Sequence, residues 1–224
     1  LAALATDDLA GRHVLVTAGP TREHLDPVRF LSNPSSGRMG DAVARQAWRR
    51  GAQVTLVSGP TALTAPPGIE RVDVTSAAEM AAAVDERFDS VDVVVMTAAV
   101  ADFRPAQVAA GKVAKEDLGA GLTLERTDDI LAGLGARKVG QLLVGFAMET
   151  DDLEARAAAK LARKNLDLIV ANDLTRPGAG FGHDTNEVVI LAPDQDPERL
   201  SLRSKEQVAE RILDRAAALL EERR

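Results

Sequence analysis

Short runs of branched apolar residues alternate with helical segments along most of this chain. Three of the clearest runs are HVLVT at residues 13–17, QVTLV at 53–57 and DVVVMT at 92–97. Between the first two, apolar side chains recur at helical spacing over residues 38–50, and Gly51 follows where that helix should end. Strands that consist of unbroken apolar runs are typical of parallel sheets covered by helices on both faces. The pattern therefore predicts an α/β fold with a Rossmann-like, doubly wound and mostly parallel sheet.

The same alternation continues beyond these runs. It predicts further strands at residues 71–74, 122–125, 142–146 and 166–171, and further helices at 77–88, 129–134 and 153–164. One polar stretch bounded by glycines, GKVAKEDLGAG at residues 111–121, interrupts the alternation. We expect this stretch to be a mobile flap.

The pattern changes at Asn172. Two alternating runs at residues 187–191 and 199–202 indicate a hairpin-like appendage, and an amphipathic helix follows at 207–220. A length of 224 residues fits one domain. We therefore expect a single domain over residues 1–224, with its parts as follows: a nucleotide-binding core at 11–171, the appendage at 172–203 and a terminal helical segment at 204–224.

The composition narrows the classes of function. Acidic residues outnumber basic ones by 34 to 27, which disfavours nucleic acid as a partner but leaves room for a local basic pocket that holds a phosphorylated ligand. The chain has no cysteine and only three histidines, so thiolate catalysis and cysteine-based metal sites are excluded. No apolar run reaches the ~18 residues of a membrane span, so we expect a cytoplasmic protein without a membrane partner. Because it begins at Leu1, we expect the chain to be part of a longer polypeptide.

The long polar loop after the first predicted strand is the first candidate site. Ser35, Ser36 and Gly37 directly precede the helix at 38–50, where backbone N–H groups and the helix dipole favour an anion. The alternative is that Ser36 only caps this helix. The same loop carries more polar side chains than a cap requires, namely Arg22, Arg29 and Asn33.

Two common nucleotide-binding motifs are absent from the sequence. The glycines of this loop do not form G-x-G-x-x-G, and the chain contains no G-x-x-x-x-G-K-[ST]. The second predicted strand ends in Val57-Ser58-Gly59, without the acidic residue that binds the ribose of NAD. These features disfavour a Rossmann-type NAD(P)-dependent reductase. That reductase and a non-catalytic nucleotide-binding module nevertheless remain as two alternative functions for this chain.

Charged residues after the central strand and in the flap are further candidates. Asp102 follows the strand at 92–97, where it would bind a ribose hydroxyl or Mg²⁺ through oxygen, or simply form a turn. Lys112 and Lys115 stand in the flap, either as solvated surface charges or as partners of a triphosphate.

Two more candidates lie towards the end of the predicted core. Lys160 and Lys164 are four residues apart on one face of a helix, which indicates either a cationic site or a solvated stripe. Phe146 ends a predicted buried strand, where it would either stack on a base or fill the core.

Five motifs follow one another in a specific order, namely TAGPTREHLDPVRFLSNPSSGRMG, TAAVADFRP, GK, VGFAMET and RKNLDLIVAND. Together they closely resemble the bacterial phosphopantothenoylcysteine synthetase family, from near Gly11 to the terminal helix. The resemblance implies a ligase that joins 4′-phosphopantothenate to L-cysteine while CTP becomes CMP and pyrophosphate, with Mg²⁺. It further implies that the pantothenate carboxylate attacks the α-phosphate to give an acyl-cytidylate, from which the cysteine amine displaces CMP. The first step requires cations around a triphosphate, and the second requires a donor for the developing oxyanion.

The resemblance also implies roles for individual residues. Asn33 would hold the acyl-cytidylate, and Lys112 would act in the activation step and contact the nucleotide. The other implied nucleotide contacts are Met96, Thr97, Ala98, Asp102, Asp128, Asp129, Ile130, Leu131, Phe146, Lys160 and Lys164. The candidate contacts to substrate are Gly19, Arg29, Asn33, Ser35, Ser36, Gly37 and Lys115, and the candidate Mg²⁺ ligands are Asp102 and Asp129.

Three positions depart from the family pattern. Ala114 stands in the flap where a lysine is common, Met148 replaces a common alanine, and Thr127-Asp128 replaces a frequent Asn-Pro. We expect weaker triphosphate binding by the flap and a backbone-only contact at Asp128. The resemblance further implies a homodimer formed through residues after Asn172, and fusion to an N-terminal flavin-dependent decarboxylase, to which alone a flavin would belong.

Overall fold

The computed structural model describes residues 7–116, 121–149, 152–173, 180 and 182–223. The described residues form twelve strands: β1 (His13–Ala18), β2 (Arg22–His24), β3 (Phe30–Ser32), β4 (Gln53–Ser58), β5 (Glu70–Asp73), β6 (Val93–Met96), β7 (Phe103–Pro105), β8 (Leu124–Arg126), β9 (Leu142–Glu149), β10 (Leu168–Asp173), β11 (Thr185–Leu191) and β12 (Glu198–Ser204). They also form five α-helices: α1 (Arg38–Arg49), α2 (Ala77–Asp85), α3 (Ile130–Arg137), α4 (Leu153–Arg163) and α5 (Lys205–Glu222). None of these helices has the length and hydrophobicity needed to span a bilayer.

Six strands form a parallel sheet in the order β5-β4-β1-β6-β9-β10. At its centre, Val14 of β1 pairs with Val54 on one side and with Val93 on the other. The chain winds from β1 outwards to β5, returns to β6 beside β1, and then winds outwards in the opposite direction to β10. This order confirms the predicted doubly wound sheet. It also makes the carboxyl ends of β1 and β6 the switch point, which is where such sheets bind ligands.

Alternate side chains of the sheet belong to two hydrophobic layers, one on each face. Val14 and Val16 of β1 are fully buried in one layer together with residues of α1 and α5. Leu15, between them, is buried in the other layer with residues of α2, α3 and α4. Both faces of the sheet are therefore covered, which explains why its strands consist of unbroken apolar runs.

The predicted hairpin after Asn172 forms as β11 and β12, which pair antiparallel. β11 also pairs antiparallel with β10, so that Val188 lies opposite Asn172. The hairpin thus extends the main sheet to eight strands instead of standing apart from it as an appendage. The reason is burial, since Val188 and Ile190 complete the same hydrophobic layer as α5.

Two short antiparallel ribbons stand outside the main sheet. β2 pairs with β3 inside the long polar loop, where no strand was predicted. β7 pairs with β8, so the short strand predicted at residues 122–125 forms at 124–126 but lies outside the main sheet. All three residues of β8 are exposed, and two of them, Glu125 and Arg126, are charged. A segment of this kind cannot be buried on both faces of a sheet without a large desolvation cost.

Candidate active site

The loops that follow β1 and β6 meet at the switch point and are tied together by hydrogen bonds. The backbone N–H of Ala99 donates to the carbonyl oxygen of Gly19 at 2.9 Å. The Thr97 hydroxyl donates to the carbonyl oxygen of Thr17 at 2.5 Å, and the Thr17 hydroxyl accepts from the N–H of Ala98 at 3.2 Å. The two loops therefore form one connected floor, and three of the predicted contacts, at Gly19, Thr97 and Ala98, lie in it.

Asn33 reaches this floor from the loop that follows β3. Its amide nitrogen Nδ2 donates to the carbonyl oxygens of Ala99, at 3.1 Å, and Val100, at 3.4 Å. Two carbonyl partners require the nitrogen at this position, because only the NH₂ group of the amide can donate. The amide oxygen receives no hydrogen bond from the described residues, so it remains available to a ligand that donates.

A cleft of about 510 Å³ opens above the floor, between the switch point, α3 and α4. This volume is within the range of roughly 300–1,000 Å³ that is common for small-molecule sites. Its lining includes Asn33 and every predicted nucleotide contact except Lys112, namely Met96, Thr97, Ala98, Asp102, Asp128, Asp129, Ile130, Leu131, Phe146, Lys160 and Lys164. These residues come from five separate segments of the chain, and the fold brings them together at the carboxyl ends of the parallel strands.

Asp129 and Lys164 form an ion pair at one side of the cleft. The Asp129 carboxylate accepts from Lys164 Nζ at 2.8 Å and from the backbone N–H of Ala132 at 3.1 Å, so it also caps α3. Partial burial raises the pKa of Asp129, but the hydrogen bond from Lys164, with that from Ala132, outweighs this and holds it below its ordinary value. Asp129 is therefore ionised at neutral pH and fixes the position of Lys164.

The other acidic side chains of the cleft, Asp102 and Asp128, are exposed. Within the described ranges, no three acidic, histidine or cysteine side chains are grouped closely enough to hold a metal ion by themselves. A divalent cation at this site would thus need oxygen ligands from a bound molecule as well as from the protein.

Phe146 divides the cleft from a smaller cavity of about 40 Å³. It is half-buried and packs against the core layer that contains α1, while it lines both spaces. The two alternatives for Phe146, a core residue or a surface for a ligand, are therefore compatible with each other. Met148, which departs from the family pattern, also lines both spaces.

The smaller cavity lies at the N-terminus of α1, and Ser35, Ser36 and Gly37 line it. The N-cap residue of α1 is Gly37, with a left-handed φ of 78°, and no side chain caps the helix. The alternative that Ser36 is the cap was therefore wrong. The Ser35 hydroxyl instead accepts from the N–H of Gly37 at 3.4 Å.

The smaller cavity is also lined by Asn172, Asn186 and Lys205, which the sequence did not indicate as site residues. The side-chain oxygen of Asn172 is buried and has no hydrogen-bond partner among the described residues. Lys205 is only 6% exposed; its Nζ donates to Asn186 Oδ1 at 3.0 Å and to backbone carbonyls, and burial lowers its pKa. Asn172 lies near the carboxyl end of the parallel strand β10, and that position was a usable signal. Lys205 begins a helix, where a lysine normally faces solvent, so no sequence pattern indicated its burial.

The predicted flap residues and Arg29 do not lie in the cleft. Lys112 and Lys115 are exposed and are absent from the described lining of either space. Arg29 is paired with Asp26 in the loop between β2 and β3. Of the predicted flap at 111–121, residues 117–120 lie outside the described residues.

The fold and the cleft together define a Rossmann-like protein with a candidate ligand site at the switch point. Residues 9–220 match the family described as "DNA/pantothenate metabolism flavoprotein C-terminal domain". The chain belongs to this family.

Similar proteins agree with this assignment. The chain is 53% identical over 212 residues to the coenzyme A biosynthesis bifunctional protein CoaBC of Bacillus subtilis, covering 94% of this chain and 52% of that protein. It is 46% identical over 221 residues to the CoaBC of Escherichia coli K12, covering 97% and 54%. A crystal structure of the C-terminal domain of a CoaBC superposes with a TM-score of 0.84 at 45% identity, covering 97% of this chain and all of that domain. The chain thus spans about half the length of the curated relatives it matches.

Proposed function

We propose that this chain is a phosphopantothenate–cysteine ligase of coenzyme A biosynthesis. It would join 4′-phosphopantothenate to L-cysteine and cleave CTP to CMP and pyrophosphate. The observation that carries the proposal is the cleft, which collects eleven residues that match the family's nucleotide contacts and adds Asn33 beside them. The identity of 53% to a CoaBC protein supports the same reaction.

In the first step, a carboxylate oxygen of phosphopantothenate attacks the α-phosphorus of CTP. A new P–O bond forms, and pyrophosphate leaves with the electron pair of the bond that breaks. Negative charge on the leaving group needs cations close by. Lys160 and Lys164 line the cleft, and Asp129 holds the ammonium group of Lys164 in place. Lys112 would supply a further cation from the flap.

In the second step, the cysteine amine attacks the carbonyl carbon of the acyl-cytidylate. CMP leaves with the electron pair of the C–O bond, and the nitrogen loses a proton to solvent. The amide nitrogen of Asn33 already donates to two backbone carbonyls, whereas its oxygen accepts nothing from the described residues. We therefore assign Asn33 to accept an N–H from the intermediate or from the attacking amine, rather than to stabilise the oxyanion.

The acidic residues fit a Mg²⁺ ion that binds together with the nucleotide. Mg²⁺ commonly takes one or two carboxylates plus phosphate oxygens and water. Asp102 is exposed in the cleft and is the better candidate ligand, because the Asp129 carboxylate already accepts from Lys164 and Ala132. The ion would neutralise triphosphate charge.

We further propose a homodimer, whose contact surface is open to test. The expected surface, residues 172–203, includes the exposed edge strand β12 with Leu202 47% exposed. The small ribbons offer a second apolar surface, with Val28 59% and Leu124 45% exposed. Light scattering of Leu202→Glu and Val28→Glu distinguishes the two, since only the variant at the true contact becomes monomeric.

We further propose that the whole protein also carries a flavin-dependent decarboxylase. The family description names a flavoprotein, and the relatives are bifunctional proteins of which this chain spans about half. Reduced cysteine, a substrate of the proposed reaction, is maintained in the cytoplasm, which supports a cytoplasmic location.

Pyrophosphate release tests the reaction directly. The chain is incubated with CTP, Mg²⁺ and 4′-phosphopantothenate, with and without L-cysteine, and with ATP in a parallel assay. We expect release that favours CTP and rises when cysteine is added. Absence of release with every nucleotide from a folded protein would refute the ligase. CTP–Mg²⁺ should also raise the thermal unfolding temperature, whereas NADPH should not, which separates the ligase from a reductase.

Two variants separate the half-reactions. Lys112→Gln should slow pyrophosphate release and leave the fold intact, because it removes a cation from the activation step. Asn33→Ala should impair net product formation. Wild-type release by the first variant would remove Lys112 from the mechanism, and unchanged product formation by the second would make Asn33 structural only.

A further inference from the structure

Asp26 is a fully buried carboxylate in the loop between β2 and β3. One of its oxygens, Oδ1, accepts from the backbone N–H groups of Val28 and Arg29, each at 2.8 Å. The other, Oδ2, accepts from Arg29 Nε at 2.9 Å and Nη2 at 2.5 Å, and from the backbone N–H of Val113 at 3.3 Å. The hydrogen bonds from Arg29 hold the pKa of Asp26 well below its usual range, so the group is an anion.

The last of these contacts joins segments that are 87 residues apart in the sequence. Val113 is held at both of its backbone groups, because its carbonyl oxygen accepts from Arg29 Nη2 at 2.8 Å while its N–H donates to Asp26. Four residues earlier, the N–H of Ala109 donates to the carbonyl oxygen of Leu25 at 2.9 Å. The segment 109–113 is therefore fixed at both ends on the turn that contains Asp26.

Lys112 lies between these two anchors. Its Cα is one peptide unit, about 3.8 Å, from that of Val113, so the anchors restrict the base from which its side chain extends. Lys112 itself is exposed and outside the cleft. Its position is consequently set by the backbone on either side of it.

A turn alone would not need this arrangement. The two bonds to Oδ1 are sufficient for an Asx-type turn, which asparagine forms as well as aspartate. Two of the bonds to Oδ2 orient the Arg29 guanidinium, and the third holds Val113, which lies outside the turn. The charge of Asp26 thus matters for the segment that carries Lys112 rather than for the turn.

We propose that Asp26 is a positioning residue for the activation step, acting through the Arg29–Val113 contacts to hold Lys112. The inference rests on the proposed ligase function. It assigns a role to a residue outside the cleft, and it makes Asp26, Arg29 and Val113 one unit that holds the flap at its base.

Asp26→Asn tests the proposal because it keeps the Oδ1 bonds and removes the acceptor at Oδ2. We expect the rate of pyrophosphate release from CTP and 4′-phosphopantothenate to fall on the order of 10–100-fold, as for a misplaced catalytic group. The affinity for CTP, measured by calorimetry, should stay within twofold, because the cleft is unchanged. Amide hydrogen exchange in residues 109–113 should become faster.

The double variant Asp26→Asn/Lys112→Gln separates positioning from a general loss of structure. If Asp26 acts through Lys112, the double variant releases pyrophosphate as fast as Lys112→Gln alone. Additive losses would overturn the proposal, and so would an unchanged rate in Asp26→Asn.

Asp92→Asn is the matched control. Asp92 also accepts one hydrogen bond from an arginine side chain and one from a backbone N–H, at 2.8 Å each. It lies at the amino end of β6, whereas the cleft lies at the carboxyl ends of the strands. This variant should keep the wild-type rate. A wild-type chain that releases no pyrophosphate would refute the ligase itself, and with it the role of Asp26. Wild-type release together with a fully active Asp26→Asn variant would refute the positioning role alone.

Discussion

Replacing Gly37 by alanine tests the backbone geometry that opens the N-terminus of α1. Gly37 has a φ of 78°, a region in which an L-residue costs about 1–2 kcal/mol. A Cβ at this position would lie 2.7 Å from the Cγ2 methyl of Thr61, which must then move, and such overpacking costs roughly 1–3 kcal/mol. We therefore expect Gly37→Ala to lower the free energy of unfolding by about 2–5 kcal/mol, a large part of the ~5–15 kcal/mol typical of a domain.

The two contributions can be separated by urea unfolding. Thr61→Ser removes the methyl group that the new Cβ would meet, so it should relieve the steric part in the double variant and leave the cost of the left-handed φ. Gly133→Ala is the control, because Gly133 lies inside α3 and a Cβ added there would meet nothing within 4 Å, so alanine should stabilise by roughly 0.5–1 kcal/mol. A Gly37→Ala variant as stable as wild type, or one that Thr61→Ser does not improve, would refute the reasoning.

Three further outcomes are expected. Lys164→Met should raise the pKa of Asp129 towards its ordinary value in an NMR titration, and it should weaken CTP binding. The loss in the free energy of unfolding should be less than about 1 kcal/mol, because the ion pair is partly exposed. The pKa of Asp26 is lower in the folded state than in the unfolded state, so its ionisation stabilises the fold above the unfolded-state pKa of ~3.9. This stabilisation is lost as the pH falls towards the folded-state pKa. The free energy of unfolding of Asp26→Asn, measured with urea, should therefore depend less steeply on pH in that acid range. Lys205→Met should destabilise by roughly 1–3 kcal/mol, measured by thermal or urea unfolding, because it removes the hydrogen bonds that Lys205 Nζ donates to Asn186 Oδ1 and to backbone carbonyls.

The sheet could be predicted because its strands are buried on both faces and therefore consist of unbroken apolar runs. A run such as DVVVMT has no polar face, so it fits only a strand covered on both sides. The ribbons could not be predicted in the same way. β2 and β3 have three residues each and mixed burial, and their pairing depends on contacts between short segments rather than on a periodic pattern.

The cleft was predictable to the extent that its residues follow strands or begin helices. Thr97 directly follows β6, and Phe146 lies in the carboxyl-terminal half of β9, where the fold alone places ligand contacts. Lys205 and Asp26 could not be found, because burial of a charge depends on partners that are distant in the sequence. Asp26 meets Val113 only in the folded chain. The resemblance to the family predicted which residues would touch ligands, and the structure adds buried polar residues near them that the sequence did not indicate.

The packing of α5 on α1 has a consequence for how the protein is made. Ile212 and Leu213 of α5 are fully buried in the same layer as Val43 and Ala47 of α1. Ribosomes synthesise the chain from its N-terminal side, so the apolar face of α1 emerges roughly 160 residues before the helix that covers it, at a rate of ~5–20 residues per second. During that interval the apolar face of α1 lacks the helix that later covers it, so chaperones that bind exposed apolar surface can bind the nascent chain.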